Sequence, residues 1–218
     1  MVNLYIPIYK KISFCILVFY MIITFISCNE NSKGIYYVDL KQEFNVLLND
    51  SNFKFNYLDL TITNTSFFLL QKKIIWKGEY SESDGSKTVT ENITGVFENS
   101  EKLFLHPPRF GPFELLEAFP FPLVELPLLS GKKWQNSINV VSGHKDLNGK
   151  VVNAVYEVEE LEMVMDSIKT WKITAASEIE GDNRNFEAVF LFNEAFGFTD
   201  FNYSLNGLPF AHIKLKEE

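Results

Sequence analysis

Cysteine is almost absent from this 218-residue chain: only Cys15 and Cys28 occur, both within the first 28 residues. Residues 29–218 therefore hold no thiol, which excludes disulfides, thiol nucleophiles and Cys-ligated metals from that stretch together. Histidine is nearly as scarce. His106, His144 and His212 are the only three, and none falls in a metal-ligand spacing such as H-E-x-x-H, so no metal is expected. Gly-rich phosphate loops are missing, as is the G-x-S-x-G elbow that presents a serine nucleophile. The sequence names no catalytic residue and implies no cofactor. Positive charge is short as well. Lys10 and Lys11 are the only charges before Cys28, so residues 28–218 carry 18 basic and 28 acidic side chains, a net of −10. Such a surface repels phosphate backbones and excludes nucleic acid as a partner, and it opposes docking on anionic lipid headgroups.

Apolar residues and phenylalanine are plentiful. The first concentration of them is Ile12–Ile26, a 15-residue run that follows Lys10-Lys11 and ends at Ser27-Cys28. A membrane-spanning helix needs about 20 residues, and the core of a secretory signal about 7 to 15. The order of charge, apolar run and terminal cysteine resembles the bacterial lipoprotein signal, with Phe25-Ile26-Ser27-Cys28 as its lipobox. That resemblance implies diacylglycerol on the Cys28 thiol, cleavage before Cys28 and an acylated new N-terminus. It divides the chain into a signal peptide at 1–27, a lipidated tether at 28–34 and a single β-rich domain at 35–218. The competing reading is an uncleaved anchor, and both readings place residues 29–218 outside the inner membrane. Asn29 stands where some bacteria read an inner-membrane retention signal at Asp, so the outer membrane is the expected address.

The rest of the chain alternates with period two between turn signals. Expected strands are Phe55–Ile62, Phe67–Tyr80, Lys87–Phe97, Lys102–Leu105, Trp134–Val141, Val151–Met165, Ile168–Ile179, Phe186–Phe192, Phe201–Leu205 and Phe210–Leu215. Ser83–Ser86, Asn148-Gly149, Asp166-Ser167, Gly181–Asn183 and Asn206-Gly207 separate them, the pattern of hairpins in sequence order. The fold class is thus mainly β, an antiparallel meander forming a curved sheet, half-barrel or sandwich. One short helix is expected near 112–119, opened by Pro112 and ended by Pro120. Phe192–Phe198 followed by alternation through Leu205 is also similar to a strand–turn–strand near the end of uncharacterised β-rich envelope lipoproteins. Those are in turn loosely similar to half-barrel carriers of lipids and lipoproteins.

Several residues stand out as site candidates. His106-Pro107-Pro108-Arg109 reads either as a gripping pair for a carboxylate or glycan, or as a rigid corner with Arg109 paired to a local acid such as Glu114. Phe113, Phe119 and Phe121 read either as the wall of an apolar ligand cleft or as the plug of a curved sheet. Glu157, Glu159, Glu160 and Glu162 split between the two faces of a strand and suit a solvated edge better than a metal site. Asp166-Ser167-Ile168 matches a short O-glycosylation signal at a turn, with Ser167 as acceptor. The functional expectation is a lipid-anchored envelope protein without enzymatic activity that binds an apolar ligand or carrier cargo. A structural factor holding another envelope protein is the alternative, and a glycan hydrolase with paired carboxylates a third.

Overall fold

The computed structural model describes residues 34–50, 52–67, 71–140, 145–165 and 168–216, so the signal, Cys28, His144 and Ser167 lie outside the described residues. Among the described residues twelve strands form one antiparallel sheet. In chain order they are β1 (Lys41–Leu48), β2 (Phe53–Phe67), β3 (Gln71–Glu82), β4 (Lys87–Glu98), β5 (Lys102–Leu105) and β6 (Leu123–Glu125), then β7 (Lys133–Asn139), β8 (Val151–Met165), β9 (Ile168–Ile179), β10 (Phe186–Asn193), β11 (Gly197–Leu205) and β12 (Leu208–Leu215). Each strand is hydrogen-bonded to its sequence neighbours, with β6 and β7 the single exception, and β12 pairs with β1. The result is an up-and-down meander curled into a nearly closed barrel, with one seam between β6 and β7. Among the described residues no helix is long and apolar enough to cross a membrane.

Period two decides which side chains fill the barrel. On β8, Val152, Ala154, Tyr156 and Val158 point inward, while Val151, Asn153, Val155, Glu157 and Glu159 face water. On β10, Phe186, Ala188, Phe190 and Phe192 are buried; Phe190 meets Phe198, Phe201 and Tyr203 of β11 edge to face, and Phe192 meets Phe198. Two strands escape the sequence reading. β1 carries Gln42 on its inward face and the exposed Leu47 on its outward face, so its alternation is blurred. β6 has three residues between prolines and is too short to show a period. The expected strand at Phe67–Tyr80 is in fact the end of β2 and most of β3, joined across residues 68–70.

The short helix is present at Gly111–Ala118, as a 3-10 helix. Its bonds run three residues back, Phe113 N–H to Phe110 O and Phe119 N–H to Leu116 O. Pro120 stops it before an α-helical ladder can repay its nucleation. Gly111 opens it at φ +49, where a Cβ would meet the Tyr80 hydroxyl at 2.7 Å. Only glycine satisfies both constraints.

Residues 34–40 close the end of the barrel at which β1 begins. Glu98 accepts the Ile35 and Tyr36 amides and also pairs with Lys72, whose ammonium donates to the Tyr36 carbonyl. Tyr36 is fully buried, and its hydroxyl accepts the Phe198 amide at 2.9 Å. Gly197, at φ +76, leaves room for that ring; a Cβ there would come within 2.6 Å of the hydroxyl. Removing this hydroxyl orphans a buried amide, so Tyr36→Phe should destabilise the fold by about 1–3 kcal/mol. Urea unfolding of the two proteins measures it; equal midpoints would show that the strap does not hold this end shut.

Candidate functional site: the insert and the mouth beside it

The segment from His106 to Pro122 leaves the end of β5, crosses the concave face and returns to β6. Pro107 and Pro108 have no amide hydrogen, so the chain cannot continue as a ladder along β4. Side chains of the wall hold its backbone instead. On one flank of the seam, Trp76 Nε1 and Thr94 Oγ1 both donate to the His106 carbonyl, and Asn92 Oδ1 accepts the Arg109 amide. On the other flank, Ser177 Oγ donates to the Ala118 carbonyl at 2.7 Å and Tyr156 OH to the Phe121 carbonyl at 3.0 Å. Burial lifts the Tyr156 hydroxyl above the ordinary tyrosine range, so it stays a donor.

The three phenylalanines singled out in the sequence are buried in this insert. Phe113 packs on Phe55 and Phe110, Phe119 on Phe186, Tyr203 and Phe210, and Phe121 on Phe104 and the His106 ring. None has more than about a hundredth of its surface exposed. They fill the interior.

His106 and Arg109 converge on Glu117, not on Glu114. The imidazole Nε2 and the guanidinium Nη1 each lie 3.5 Å from Glu117 Oε1. In a 3-10 helix residues 114 and 117 share one side, and 117 lies one turn deeper, buried where Glu114 is exposed. Desolvation raises the Glu117 carboxyl above its ordinary value, although Arg109 pulls the other way. Desolvation also lowers His106 to about 4, while its contact with the Pro107 carbonyl opposes the shift. Nδ1–H donates to that carbonyl at 2.8 Å, which assigns the neutral tautomer and leaves the Nε2 lone pair facing Glu117.

A cleft of about 490 Å³ opens at the end of the barrel remote from Gly34, beside the insert. Leu48, Pro112, Leu205, Leu208, Pro209 and Phe210 supply its apolar lining, and Asn49, Asp50 and Asn206 its polar rim. Asn206-Gly207 adopts positive φ at both residues and makes the tight β11–β12 hairpin. The Asn49 amide donates to the Phe210 carbonyl and fixes the β1–β2 turn against it. Phe210 stacks at 5.2 Å on Phe119, so cleft and plug share a wall. Of these lining residues the sequence signals Pro112 as the start of the short helix, and the Asn-Gly turn with the strands on either side of it, but not Leu48, Asn49 or Asp50. Pro209 is tolerated because β1 pairs with β12 only from Ala211 onward.

The remaining polar groups are dispersed. Glu157 pairs with Lys133 and Glu159 with Lys172 on the water-facing side. The Asp200 carboxylate meets His212 Nε2 at 3.0 Å and accepts Asn202 Nδ2, an outward cluster set by the β11–β12 register that sequence spacing does not reveal. Among the described residues no group of three acids, histidines or cysteines is placed to hold a metal ion.

No family model matches the chain, and no curated protein matches it. Two solved structures are similar in fold. One is from Parabacteroides distasonis and is provisionally described as a lipoprotein; it shares 8% identity at a TM-score of 0.44 over 86% of this chain and 99% of its own. The other, from Bacteroides fragilis, is provisionally described as an exported protein with YmcC-like fold; it shares 7% identity at a TM-score of 0.37 over 84% of this chain and 97% of its own.

The His106 shift has a definite sign. A base lowered on folding contributes stability fully above its unfolded value near 6.5 and loses it as pH falls toward about 4. Glu117, raised on folding, acts oppositely and costs stability as pH rises past the ordinary carboxylate value of 4.5. His106→Asn should therefore lose less stability than the parent between pH 6.5 and 4. Denaturation midpoints across that range test it, and parallel curves for the two proteins would contradict the assignment.

Proposed function

We propose that this chain is a lipid-anchored protein of the cell envelope, on the outer membrane, that holds an apolar ligand of acyl-chain character at the mouth of its barrel. The observation that carries the ligand reading is the cleft of about 490 Å³ lined by Leu48, Leu205, Leu208 and Phe210. Its size suits a small apolar molecule, and Asn49, Asp50 and Asn206 offer the few polar contacts that orient one. The insert occupies the concave face, so the reading is of a ligand held at the rim and not of cargo enclosed within the sheet. Anchoring rests on Phe25-Ile26-Ser27-Cys28. Ser167 as a glycosylation site, and the corner at His106 and Arg109 as a contact for a partner protein, belong to the same proposal as secondary features.

Two experiments test it separately. Cys28→Ser should accumulate as an uncleaved, unacylated precursor on intact-mass analysis; normal processing of the variant would refute the anchor. Leu208→Glu places a carboxylate in the lining without touching the core, since Leu208 is 66% exposed. It should weaken binding of a fluorescent fatty-acid probe by about tenfold, because a ligand in the cleft covers apolar surface at Leu208 that the variant replaces with a carboxylate that binding would desolvate. Unchanged probe binding with an intact fold would remove the cleft from consideration.

A further inference from the structure

The chain leaves the barrel from one of its two ends. Antiparallel register places the N-terminal strap, the β6–β7 connection and the β10–β11 turn at one end, and the mouth cleft at the other. Three large apolar side chains stand in water at the strap end: Tyr37 at 42% exposure, Leu129 at 61% and Phe196 at 50%. Each belongs to a different connection, and each is backed by a fixed point. Tyr37 follows the buried Tyr36. The Phe196 carbonyl accepts Gln42 Nε2 at 2.9 Å, and its amide donates to Asn193 Oδ1 at 2.7 Å. The connection bearing Leu129 is drawn together by Lys132 Nζ, which donates to the carbonyls of Glu125, Leu126 and Pro127.

From these features we infer that the strap end is a lipid-facing surface: Tyr37, Leu129 and Phe196 rest in the interface of the bilayer that carries the anchor. The inference rests on the anchor at Cys28. Five residues, 29–33, lie between that cysteine and Gly34, six Cα-to-Cα steps. Fully extended they reach about 20 Å, so the strap end stays within that distance of the bilayer. β3 alone has 12 residues, a span of about 40 Å, which carries the mouth cleft well clear of the lipid when the barrel stands on this end. Tyrosine and phenylalanine suit the headgroup boundary because they combine an apolar ring with, for tyrosine, a polar tip. The excess of negative charge on residues 28–218 selects a zwitterionic lipid surface over an anionic one.

The acylated full-length protein, reconstituted in phosphatidylcholine–phosphatidylethanolamine vesicles, decides this. Cys28 is blocked by its thioether and Cys15 is lost with the signal, so a single introduced cysteine takes a polarity-sensitive fluorophore cleanly. Leu129→Cys, Phe196→Cys and, as the distant control, Leu208→Cys are labelled and exposed to lipids bearing a nitroxide quencher in the acyl chain. Quenching several-fold stronger at 129 and 196 than at 208 is the expected result. Equal quenching at all three positions, or none at 129 and 196, overturns the proposal. Intact mass separates this from the anchor reading. An unacylated chain that still binds vesicles through 129 and 196 refutes the anchor and keeps the lipid-facing end, and an unacylated chain that stays in solution overturns both.

Discussion

A sheet of twelve strands, once curled, encloses more space than its own inward side chains fill, and the insert His106–Pro122 is the answer to that constraint. Barrels of about eight strands can be packed by their own interior residues, but larger ones need a plug or hold a cavity. Here Phe113, Leu116 and Phe119, with the buried Phe121 beside them, come from the insert and complete a core that the strands begin with Trp76, Tyr156, Phe190 and Tyr203. The plug is apolar enough to repay its own ordering. Its eight-residue 3-10 helix could not stand alone, and it is held by the surrounding aromatic rings.

The same insert compensates for the seam. Between β6 and β7 the ladder is interrupted, and an interrupted ladder leaves backbone groups unpaired and two flanks free to part. Carbonyls of the insert accept hydrogen bonds from Trp76 and Thr94 on the flank that ends at β6, and from Tyr156 and Ser177 on the flank that ends at β7. Side chain–backbone bonds thus tie together what strand pairing does not. Tyr156 also stacks at 5.4 Å on Trp134 of β7 itself, which fixes the edge strand against the same plug.

Local regularity determined what the sequence could disclose. The meander from β7 to β12 is legible because period two, Asn-Gly and Gly-Asp turns and buried aromatics all agree there. β1 is not, although it joins the two halves through β12, because its Gln42 and Leu47 sit on the faces opposite to those their polarity suggests. The plug was legible as a Pro- and Phe-rich interruption, but its partners were not. Whether Arg109 meets Glu114 or Glu117 depends on three residues per turn rather than 3.6, and on which flank of a barrel the corner lies against. The mouth cleft draws Leu48, Pro112 and Leu208 from three distant stretches, and only closure of β1 on β12 brings them together.

The buried carboxyl of Glu117 is the one costly element in an otherwise apolar plug. An aliphatic residue would fill that space without desolvating a charge, so its presence needs a compensating effect. The compensation is directional. Aromatic packing tolerates small rotations of the insert, whereas a carboxyl group placed between His106 and Arg109 fits at one depth and one rotation of the 3-10 helix. Fixing that rotation also fixes Phe119, two residues further on, and through its stack the Phe210 wall of the mouth. A polar contact on the β4 flank of the plug is thereby coupled, through Phe119 and Phe210, to an apolar cleft at the end of the barrel, which links the packing of the interior to a recess that could take a ligand.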